Sequence, residues 1–433
     1  MKLFDCEALD AADVLAPLRE LFDLAPGTVY LDGNSLGALP HATAARVQAA
    51  VQHEWGRGLI GSWNGADWIG LPRRVGDKIA RLVGAAPGQL IAADSTSVNL
   101  YKALSAALQI AAAQGGVKRR VVVSERSNFP TDLYIAESLA RERGLALKLV
   151  EPDGIDAALA QGDVAVLMLT QVNYRSGRLH DMAAVTAAAH AAGALTVWDL
   201  AHSAGALPVD LLGSDADFAV GCGYKYLNGG PGAPAFVWLH PRHAERMARG
   251  DLWQPLSGWM GHARPFDFTP AYAPAEGIAG WLCGTPAVLS LTALECGVDT
   301  LLAAEPLGGL GALRRKSIAL GELFIELVES RCAGHGLELA SPRDAAARGS
   351  QVSFALAGHG YAAMQALIAR GVVGDFRAGD ARDPATTPDI LRFGFTPLYT
   401  RFADVWNAVE QLRQVLEVRE WNQPRFRARH AVT

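Results

Sequence analysis

The chain has 433 residues, of which 50% are hydrophobic and 19% are charged, and its formal net charge is -5 at pH 7. This length exceeds what one ordinary hydrophobic core serves, so two domains are expected, and the acidic balance argues against binding to nucleic acid. The sequence shows no secretory-signal pattern, no apolar run long enough to cross a membrane, and five cysteines without CxxC spacing. We therefore expect a cytoplasmic protein without a membrane-spanning segment, a disulfide framework or a structural zinc site.

The first predicted elements are a turn-rich loop, LDGNSLGALP (31–40), and a helix over 42–55. From about residue 90, short apolar strands alternate with helices. The predicted strands lie within 90–96, 120–125, 145–152, 163–172, 194–203 and 217–240, and the helices lie over 97–114, 131–144 and 181–193. This alternation predicts right-handed crossovers and a mainly parallel sheet with helices on both faces.

After about residue 295 the pattern changes to a long helix, 307–331, then short strand-like segments and a helix near 361–370. This order predicts a smaller α+β unit. The domains expected from these changes are an amino-terminal segment packing with the small domain at 1–45, a large α/β domain at 46–295 and a small carboxyl-terminal domain at 296–433.

Unusual polar residues follow the predicted strands of the large domain. In chain order they are Thr96 and Ser97 at a helix start, Phe129 and Asp132 in SERSNFPTD, Asp199 and His202 in DLAHS, and Lys225 in GCGYKYLNGG. Because ligands of open parallel sheets bind beyond the carboxyl ends of the strands, we expect these groups to meet.

Each group suits one part of pyridoxal 5'-phosphate (PLP). The start of a helix binds a phosphate dianion, and a carboxylate favours the protonated pyridine nitrogen, which makes the ring a better electron sink. A lysine among apolar strands can form an imine and then move protons. Singly, Asp199 could be a turn residue, Thr96 and Ser97 a helix cap, and Lys225 a surface residue. The combination in this order favours a PLP site.

DLAHSAG (199–205) followed by GYKYLNGGPG (223–232) resembles kynureninase, a fold-type I PLP hydrolase of tryptophan catabolism. DLAHS with a downstream YK also occurs in aminotransferases and cysteine desulfurases, whereas GWxGH at 258–262 and RxxxxPLY at 392–399 narrow the resemblance to kynureninase. The motif FPTD and the segments LSGWMGHA, CGTPAV and ILRFGFTPLYTRFADV are also similar to that family. The resemblance implies a fold-type I architecture: a mainly parallel, seven-stranded sheet in the large domain plus the smaller α+β domain.

The resemblance also implies roles around the cofactor. Lys225 would form the imine and remove the substrate Cα proton, Asp199 would pair with the pyridine nitrogen, and Tyr224 would relay protons. The other implied cofactor contacts are His202 beside Asp199, Phe129 stacked on the ring with Asp132 in the same segment, Thr96, Ser97 and Tyr224 on the phosphate side, and Trp259 and Thr285 from the neighbouring subunit. A homodimer with shared active sites is therefore implied.

The implied reaction is hydrolysis of L-kynurenine, and more weakly of 3-hydroxykynurenine, to anthranilate and L-alanine by Cβ–Cγ cleavage. Arg392 would clamp the amino-acid carboxylate. The candidates for the aryl slot are Trp63, Ser35, Trp259, Met260 and His262. Trp63 could equally be a loop tryptophan that covers the core. Trp63 and Thr285 resemble the bacterial pattern, which favours unsubstituted kynurenine.

Two alternatives stay open. A cysteine desulfurase or class V aminotransferase shares the scaffold, but a desulfurase needs a nucleophilic cysteine on a mobile loop. Cys332 lies at a predicted helix end, and Cys283 and Cys296 lie in or before apolar helical sequence, so small buried hydrophobes explain them better. A non-catalytic PLP-binding protein is the second alternative, and such a protein would not need Arg392.

Overall fold

The computed structural model describes residues 1–115, 119–380, 382–383 and 387–429. Its strands are β1 Val29–Tyr30, β2 Leu90–Ala92, β3 Val121–Glu125, β4 Ala146–Val150, β5 Val164–Thr170, β6 Leu195–Asp199, β7 Phe218–Gly221, β8 Phe236–Leu239, β9 Glu338–Leu339, β10 Gln351–Ala355, β11 Val372–Val373, β12 Asp375–Arg377 and β13 Ile390–Gly394.

Its α-helices are α1 Leu3–Ala11, α2 His41–Ala49, α3 Ser62–Gly65, α4 Leu71–Leu82, α5 Thr96–Gly115, α6 Pro130–Glu142, α7 Ile155–Leu159, α8 Met182–Ala191, α9 Pro241–Ala248, α10 Val288–Leu302, α11 Gly309–Arg331, α12 Gly360–Ala369, α13 Phe402–Glu417 and α14 Pro424–Arg427. A π-helical segment, Ala50–Gly58, continues α2. Within the described ranges, no helix combines the length and the apolar character that a membrane crossing requires.

The chain forms two compact units. The large unit comprises 43–173 and 180–299, and the small unit comprises 1–42, 174–179 and 300–433. The short stretch 174–179 belongs to the small unit although it lies inside the predicted large domain. Arg175 explains this, because its guanidinium donates to carbonyl oxygens of that unit, Ala378 at 2.7 Å and Pro388 at 2.6 Å.

The large unit is built on a seven-stranded sheet of order β2-β8-β7-β6-β5-β3-β4. Only β8 among these strands runs antiparallel to its neighbours, so the prediction of a mainly parallel sheet is confirmed. All seven residues of β5 are buried, as expected for a strand that is covered on both faces. The carboxyl ends of the six parallel strands therefore share one edge of the sheet.

Helix α5 begins at that edge and packs along the sheet. Its buried residues Leu100, Leu104, Ala107 and Ala111 recur every three or four positions, which forms one apolar face. Ser95 caps the helix, since its hydroxyl oxygen accepts the Val98 N–H at 3.3 Å. Because α5 begins four residues after the end of β2, its first turn, where backbone N–H groups lack partners within the helix, lies at the carboxyl ends of the strands.

The small unit contains an antiparallel sheet of order β12-β13-β10-β9 and a parallel pair formed by β1 and β11. Its core contains Phe324 of α11, whose ring lies 4.7 Å from that of Phe393 and 5.5 Å from that of Phe395. The register of β12 and β13 sets Asp375 opposite Arg392. This sheet confirms the predicted α+β character and brings a carboxylate beside the candidate substrate-binding arginine.

Candidate active site

Asp199 is the last residue of β6, where it is aligned with Thr170 of β5 and Val220 of β7. Its side chain is buried, and its Oδ1 accepts the Ala201 N–H at 2.7 Å. Asp132, in the first turn of α6 after β3, is also buried. Two buried acids, one at the end of β6 and one in the helix that follows β3, thus lie at the edge of the sheet where the sequence predicts a site.

Lys225 lies in the turn between β7 and β8 and is half-buried. Its Nζ is 2.9 Å from His202 Nε2, 5.9 Å from the centre of the Phe129 ring and 5.8 Å from the centre of the Tyr224 ring. The structure therefore brings three of the predicted residues around the amine of a fourth, Lys225. That amine faces a histidine and two aromatic rings.

The two acids perturb each other. Burial raises the pKa of the Asp132 carboxyl well above its usual value, and the neighbouring Asp199 raises it further. Burial also raises the pKa of Asp199, whereas the Lys225 ammonium lowers it. Asp132 Oδ2 has no hydrogen-bond partner within the described part of the chain. Two adjacent buried carboxyls cannot both ionise easily, so a cationic group bound beside them would be favoured.

Asn128 holds the segment that carries Phe129 and Asp132. Its Oδ1 accepts the Phe129 N–H at 2.7 Å and a hydrogen bond from the Thr170 hydroxyl. Its amide nitrogen donates to Ser124 Oγ at 3.1 Å. Asn128 was not predicted as a site residue, although an asparagine directly before FPTD at a strand end is a usable signal.

The start of α5 forms the other end of the site. Thr96 is half-buried and Ser97 exposed, and both lie in the first turn, where backbone N–H groups lack partners within the helix. Ser95, rather than Thr96 or Ser97, supplies the capping hydroxyl. The alternative interpretation of Thr96 and Ser97 as the cap is therefore wrong, and the N–H groups of this first turn suit a bound anion.

These features fit PLP. The buried acid pair suits a protonated pyridine nitrogen. Phe129 is 41% exposed, and an aromatic ring at this edge of the sheet suits stacking on a planar cofactor. The first turn of α5 suits the phosphate. The Lys225 amine lies near His202 and two aromatic rings and interacts electrostatically with both acids. The roles of the individual residues stay predictions.

The residues predicted to reach a partner subunit lie at the surface of the large unit. Thr285 is exposed, and Trp259 is 40% exposed. The Trp259 ring is stacked with the ring of Phe268 at 6.1 Å and meets Phe266 edge-on at 5.6 Å, and its indole N–H donates to the Pro265 carbonyl. An exposed aromatic cluster therefore surrounds Trp259.

The candidates for the aryl slot in this unit have other contacts. Both ring nitrogens of His262 are used locally, since Nδ1 accepts the Arg264 N–H at 2.8 Å and Nε2 lies 3.1 Å from the Ala271 carbonyl oxygen. Met260 is buried in the core, and Trp63 is half-buried against that core. Packing explains Met260, and the substrate contacts of Trp63 and His262 stay predictions.

Arg392 lies on β13 of the small unit and is 1% exposed. Its Nη1 donates to the Tyr174 carbonyl at 2.7 Å, and its Nη2 donates to Ser35 Oγ at 2.7 Å and to Asp375 Oδ2 at 2.5 Å. Ser35, predicted as a substrate contact, thus binds the guanidinium. Asp375 was not predicted as a site residue, because nothing in its local sequence, GDFRAGD, distinguishes it from an ordinary surface acid.

The chain is similar to characterised proteins over its whole length. A family model described as "Kynureninase C-terminal domain" matches residues 313–412. Kynureninase from Pseudomonas fluorescens is 54% identical over 432 residues, which are 99% of each chain. Kynureninase from Burkholderia pseudomallei (strain K96243) is 54% identical over an alignment of 433 positions that covers 98% of each chain.

Solved structures share the fold at low sequence identity. The apo cysteine desulfurase from Thermococcus onnurineus NA1 has a TM-score of 0.76 and 18% identity, covering 93% of this chain and 98% of that chain. A C-DES variant with glycine covalently linked to its PLP cofactor has a TM-score of 0.76 and 15% identity, covering 91% and 98%. These likenesses confirm the predicted fold-type I class and concern the fold alone.

Proposed function

The chain belongs to the kynureninase family, and on that premise we propose that it hydrolyses L-kynurenine to anthranilate and L-alanine. It is a hydrolase, and its cofactor is PLP. The observation that carries the proposal is the position of the Lys225 amine, 2.9 Å from His202 Nε2 and between two aromatic rings. Electrostatic interaction with Asp132 and Asp199 supports it.

Bound PLP supplies an electron sink that stabilises negative charge at the substrate Cα. The chain's own residues hold and move protons around it. In this proposal, Lys225 Nζ takes the Cα proton, and Asp199 holds a proton on the ring nitrogen, which its buried carboxylate favours. Tyr224, with its ring 5.8 Å from Nζ, relays protons during cleavage.

The remaining residues bind and orient. The first turn of α5 holds the phosphate through Thr96 and Ser97, and the exposed face of Phe129 stacks on the ring. Arg392 binds the substrate carboxylate, for which its planar guanidinium is suited. These assignments predict a site that recognises an α-amino acid by its carboxylate.

The proposal also assigns residues to the aryl group of the substrate and to the contact between two copies of the chain. Trp63 and His262 line the aryl slot, and 3-hydroxykynurenine is cleaved more weakly than kynurenine. The protein acts as a homodimer in which Trp259 and Thr285 complete the partner's site. Support comes from the exposed aromatic surface around Trp259, including Phe268 at 75% exposure, since such surface is typical of an interface.

Desulfurase chemistry has weaker support. Cys332 is buried, and burial raises the pKa of the Cys332 thiol to about 12. Cys283 and Cys296 are half-buried, so they are not the fully buried hydrophobes expected from the sequence, and burial also raises the pKa of each thiol. A protonated thiol is a poor nucleophile.

Turnover of L-kynurenine tests the proposal directly. Wild-type protein loaded with PLP should form fluorescent anthranilate and L-alanine in equal amounts and release no sulfide from L-cysteine. Lys225→Ala should lose the visible absorbance of the lysine-bound cofactor and slow turnover by about 10³-fold or more, because an acid–base group and the covalent link are both removed. The matched control is Lys148→Ala, an exposed lysine on β4.

Lys148→Ala should keep both the absorbance and the turnover. Full activity in Lys225→Ala would remove the role given to that lysine. Sulfide release without anthranilate would replace the proposed function with desulfuration.

A further inference from the structure

We propose that Asp32 and Asp375 are positioning residues for Arg392, and that together they make its affinity for the substrate carboxylate fall as the pH rises through neutrality. This inference rests on the proposed function, since it takes Arg392 as the group that binds the amino-acid carboxylate. It adds two residues, neither of which was predicted from the sequence as part of the site, and a pH dependence. All the contacts that support it lie within the small unit.

The Arg392 guanidinium is largely engaged by the protein itself. Nη2 donates to both Ser35 Oγ and Asp375 Oδ2, which uses its two N–H bonds, and Nη1 donates to the Tyr174 carbonyl. A carboxylate that binds a guanidinium in the bidentate manner needs two N–H groups on one side. A substrate carboxylate must therefore compete with Asp375, which is chemically the same group.

Asn34 links Arg392 to a second acid. With its amide oxygen toward the guanidinium, Asn34 accepts from Arg392 Nε at 3.0 Å and its nitrogen donates to Asp32 Oδ1 at 3.3 Å. The opposite orientation would set amide oxygen against carboxylate oxygen, and N–H against N–H. The backbone fixes this arrangement, because Asp32 forms a parallel β-bridge with Gly394, two residues beyond Arg392 on β13.

The cluster contains two cations, two acids and two phenols. Arg377 Nη2 lies 2.9 Å from Asp375 Oδ2, so Asp375 contacts both guanidiniums. The phenols that interact with Asp32 belong to Tyr30 and Tyr399, and burial raises the pKa of both, so they stay neutral. The arginines stay charged throughout the working range of pH.

Asp32 is the member of this cluster that titrates near neutrality. Burial raises the pKa of its carboxyl to about 7, and Asp375 adds to the increase, whereas Arg392 opposes it. Below that pH Asp32 is neutral, so the two guanidiniums face one carboxylate and an incoming carboxylate restores the balance. Above it two carboxylates neutralise two guanidiniums, and the substrate anion gains less by binding.

We therefore expect the KM for L-kynurenine to rise with pH. From pH 6 to pH 8 the increase should be on the order of tenfold, the effect of about one pKa unit of coupling between the substrate and Asp32. Asp32→Asn cannot ionise, so its KM should change little over this range. The matched control is Asp23→Asn, an exposed aspartate of the same unit, which should keep the wild-type KM profile.

Kynuramine, which lacks the α-carboxylate, provides a test that needs no variant. Its equilibrium binding to the wild-type holoenzyme, followed by the cofactor absorbance, should not show the loss of affinity that L-kynurenine shows over the same range. Titration of the substrate amine or of a group on the cofactor would change the affinity of both ligands with pH. Titration of Asp32 should change only the affinity of L-kynurenine, which carries the α-carboxylate.

The outcomes are distinct. A rising KM in wild type that is lost in Asp32→Asn and kept in Asp23→Asn supports the inference. Three results would each overturn the inference without affecting the proposed function: a wild-type KM that does not change with pH, a wild-type KM profile in Asp32→Asn, or an equal pH dependence for kynuramine binding. Absence of turnover at every pH would overturn the proposed function together with this inference.

Discussion

Asp132 and Asp199 are placed for binding rather than for stability. Both carboxyls are buried, and Asp132 Oδ2 has no hydrogen-bond partner in the described residues. Folding without the cofactor therefore removes two acids from water with incomplete compensation, which is destabilising. Binding sites commonly hold groups in this way, so that the ligand supplies the missing partner.

We expect Asp132→Asn to stabilise the cofactor-free protein near pH 8. The folded-state pKa of Asp132 is raised, so the folded protein binds more protons than the unfolded chain, and stability falls as the pH rises from about 4 toward that raised value. The amide removes this loss. The thermal midpoint at pH 8 should increase by roughly 2–6 °C, whereas the gain at pH 4 should be smaller.

Scanning calorimetry of the cofactor-free proteins at both pH values measures this effect. Asp153→Asn, an exposed aspartate of the large unit, should leave the midpoint unchanged. The same Asp132→Asn variant should bind PLP more weakly, because an acid near the ring is lost. A gain in midpoint that is equal at pH 4 and pH 8 would contradict the electrostatic explanation.

Single residues could be predicted where a short local motif at the end of a strand contains them. Lys225, Asp199 and Phe129 follow strands in short motifs, so the rule that ligands bind at strand ends located them. Asp375 was not predictable in this way, since it meets Arg392 only through the register of two antiparallel strands. Long-range pairing of this kind leaves no periodic signal in one sequence.

At the scale of elements, helix α4 shows how closely the backbone approaches the sheet. Gly76 faces β2, and a Cβ built on it would lie 2.9 Å from the Ile91 Cα and closer still to the Leu90 carbonyl oxygen. Both are backbone atoms, which cannot turn aside as a side chain can. Glycine at this position thus allows the helix to contact the strand that precedes α5, whose first turn is the proposed phosphate site.

Gly76→Ala should therefore be destabilising although alanine favours helices. Alanine gains up to about 1 kcal/mol of helix propensity, but the clash displaces α4 and costs about 1–3 kcal/mol more than that gain. The matched control is Gly311→Ala in the first turns of α11, where the nearest atom to a new Cβ is the flexible end of Arg315 at 3.6 Å.

Chemical denaturation of both variants, with PLP present, measures the difference. Gly311→Ala should be neutral or slightly stabilising, and Gly76→Ala should also release PLP more readily because β2 leads into α5. Equal stability of the two variants would show that α4 can move from the sheet without loss.

The elements themselves were largely predictable, and the exceptions have local causes. Apart from the short helix α7, Ile155–Leu159, which was not predicted, the strands and helices from 90 to 240 were predicted within a few residues of their observed bounds. The helix expected over 42–55 instead becomes π-helical at Ala50–Gly58, where the Glu54 carbonyl accepts from the Ser62 hydroxyl at 2.6 Å. Strands of two or three residues, such as β1 and β11, are too short to show alternation.

At the scale of the whole molecule, each unit is assembled from separate stretches of chain. The change of pattern near residue 295 was visible in composition and periodicity. The inclusion of 174–179 in the small unit was not, since it depends on hydrogen bonds from Arg175 to the distant carbonyls of Ala378 and Pro388. Sequence periodicity reports which face of an element is buried, but not which distant segment covers it.

The proposed shared active site makes a prediction that belongs to the assembly. If Trp259 completes the site of the partner, a dimer that pairs a Lys225→Ala chain with a Trp259→Ala chain has one site with both residues intact and one site lacking both. Such a heterodimer, isolated with a different affinity tag on each chain, should recover about half of the wild-type activity per dimer. Each variant homodimer should be nearly inactive, because every site lacks one residue.

The control carries both substitutions on one chain, paired with a wild-type chain. Here each site loses one residue, so activity should be nearly absent, although the dimer contains the same two substitutions. If Trp259 instead serves its own chain, the two heterodimers exchange behaviour: the chain with both substitutions leaves one intact site, and the chains with one substitution each leave none. Steady-state turnover of L-kynurenine by the two heterodimers thus separates the arrangements, and substantial activity of the Trp259→Ala homodimer would remove that residue from the site altogether.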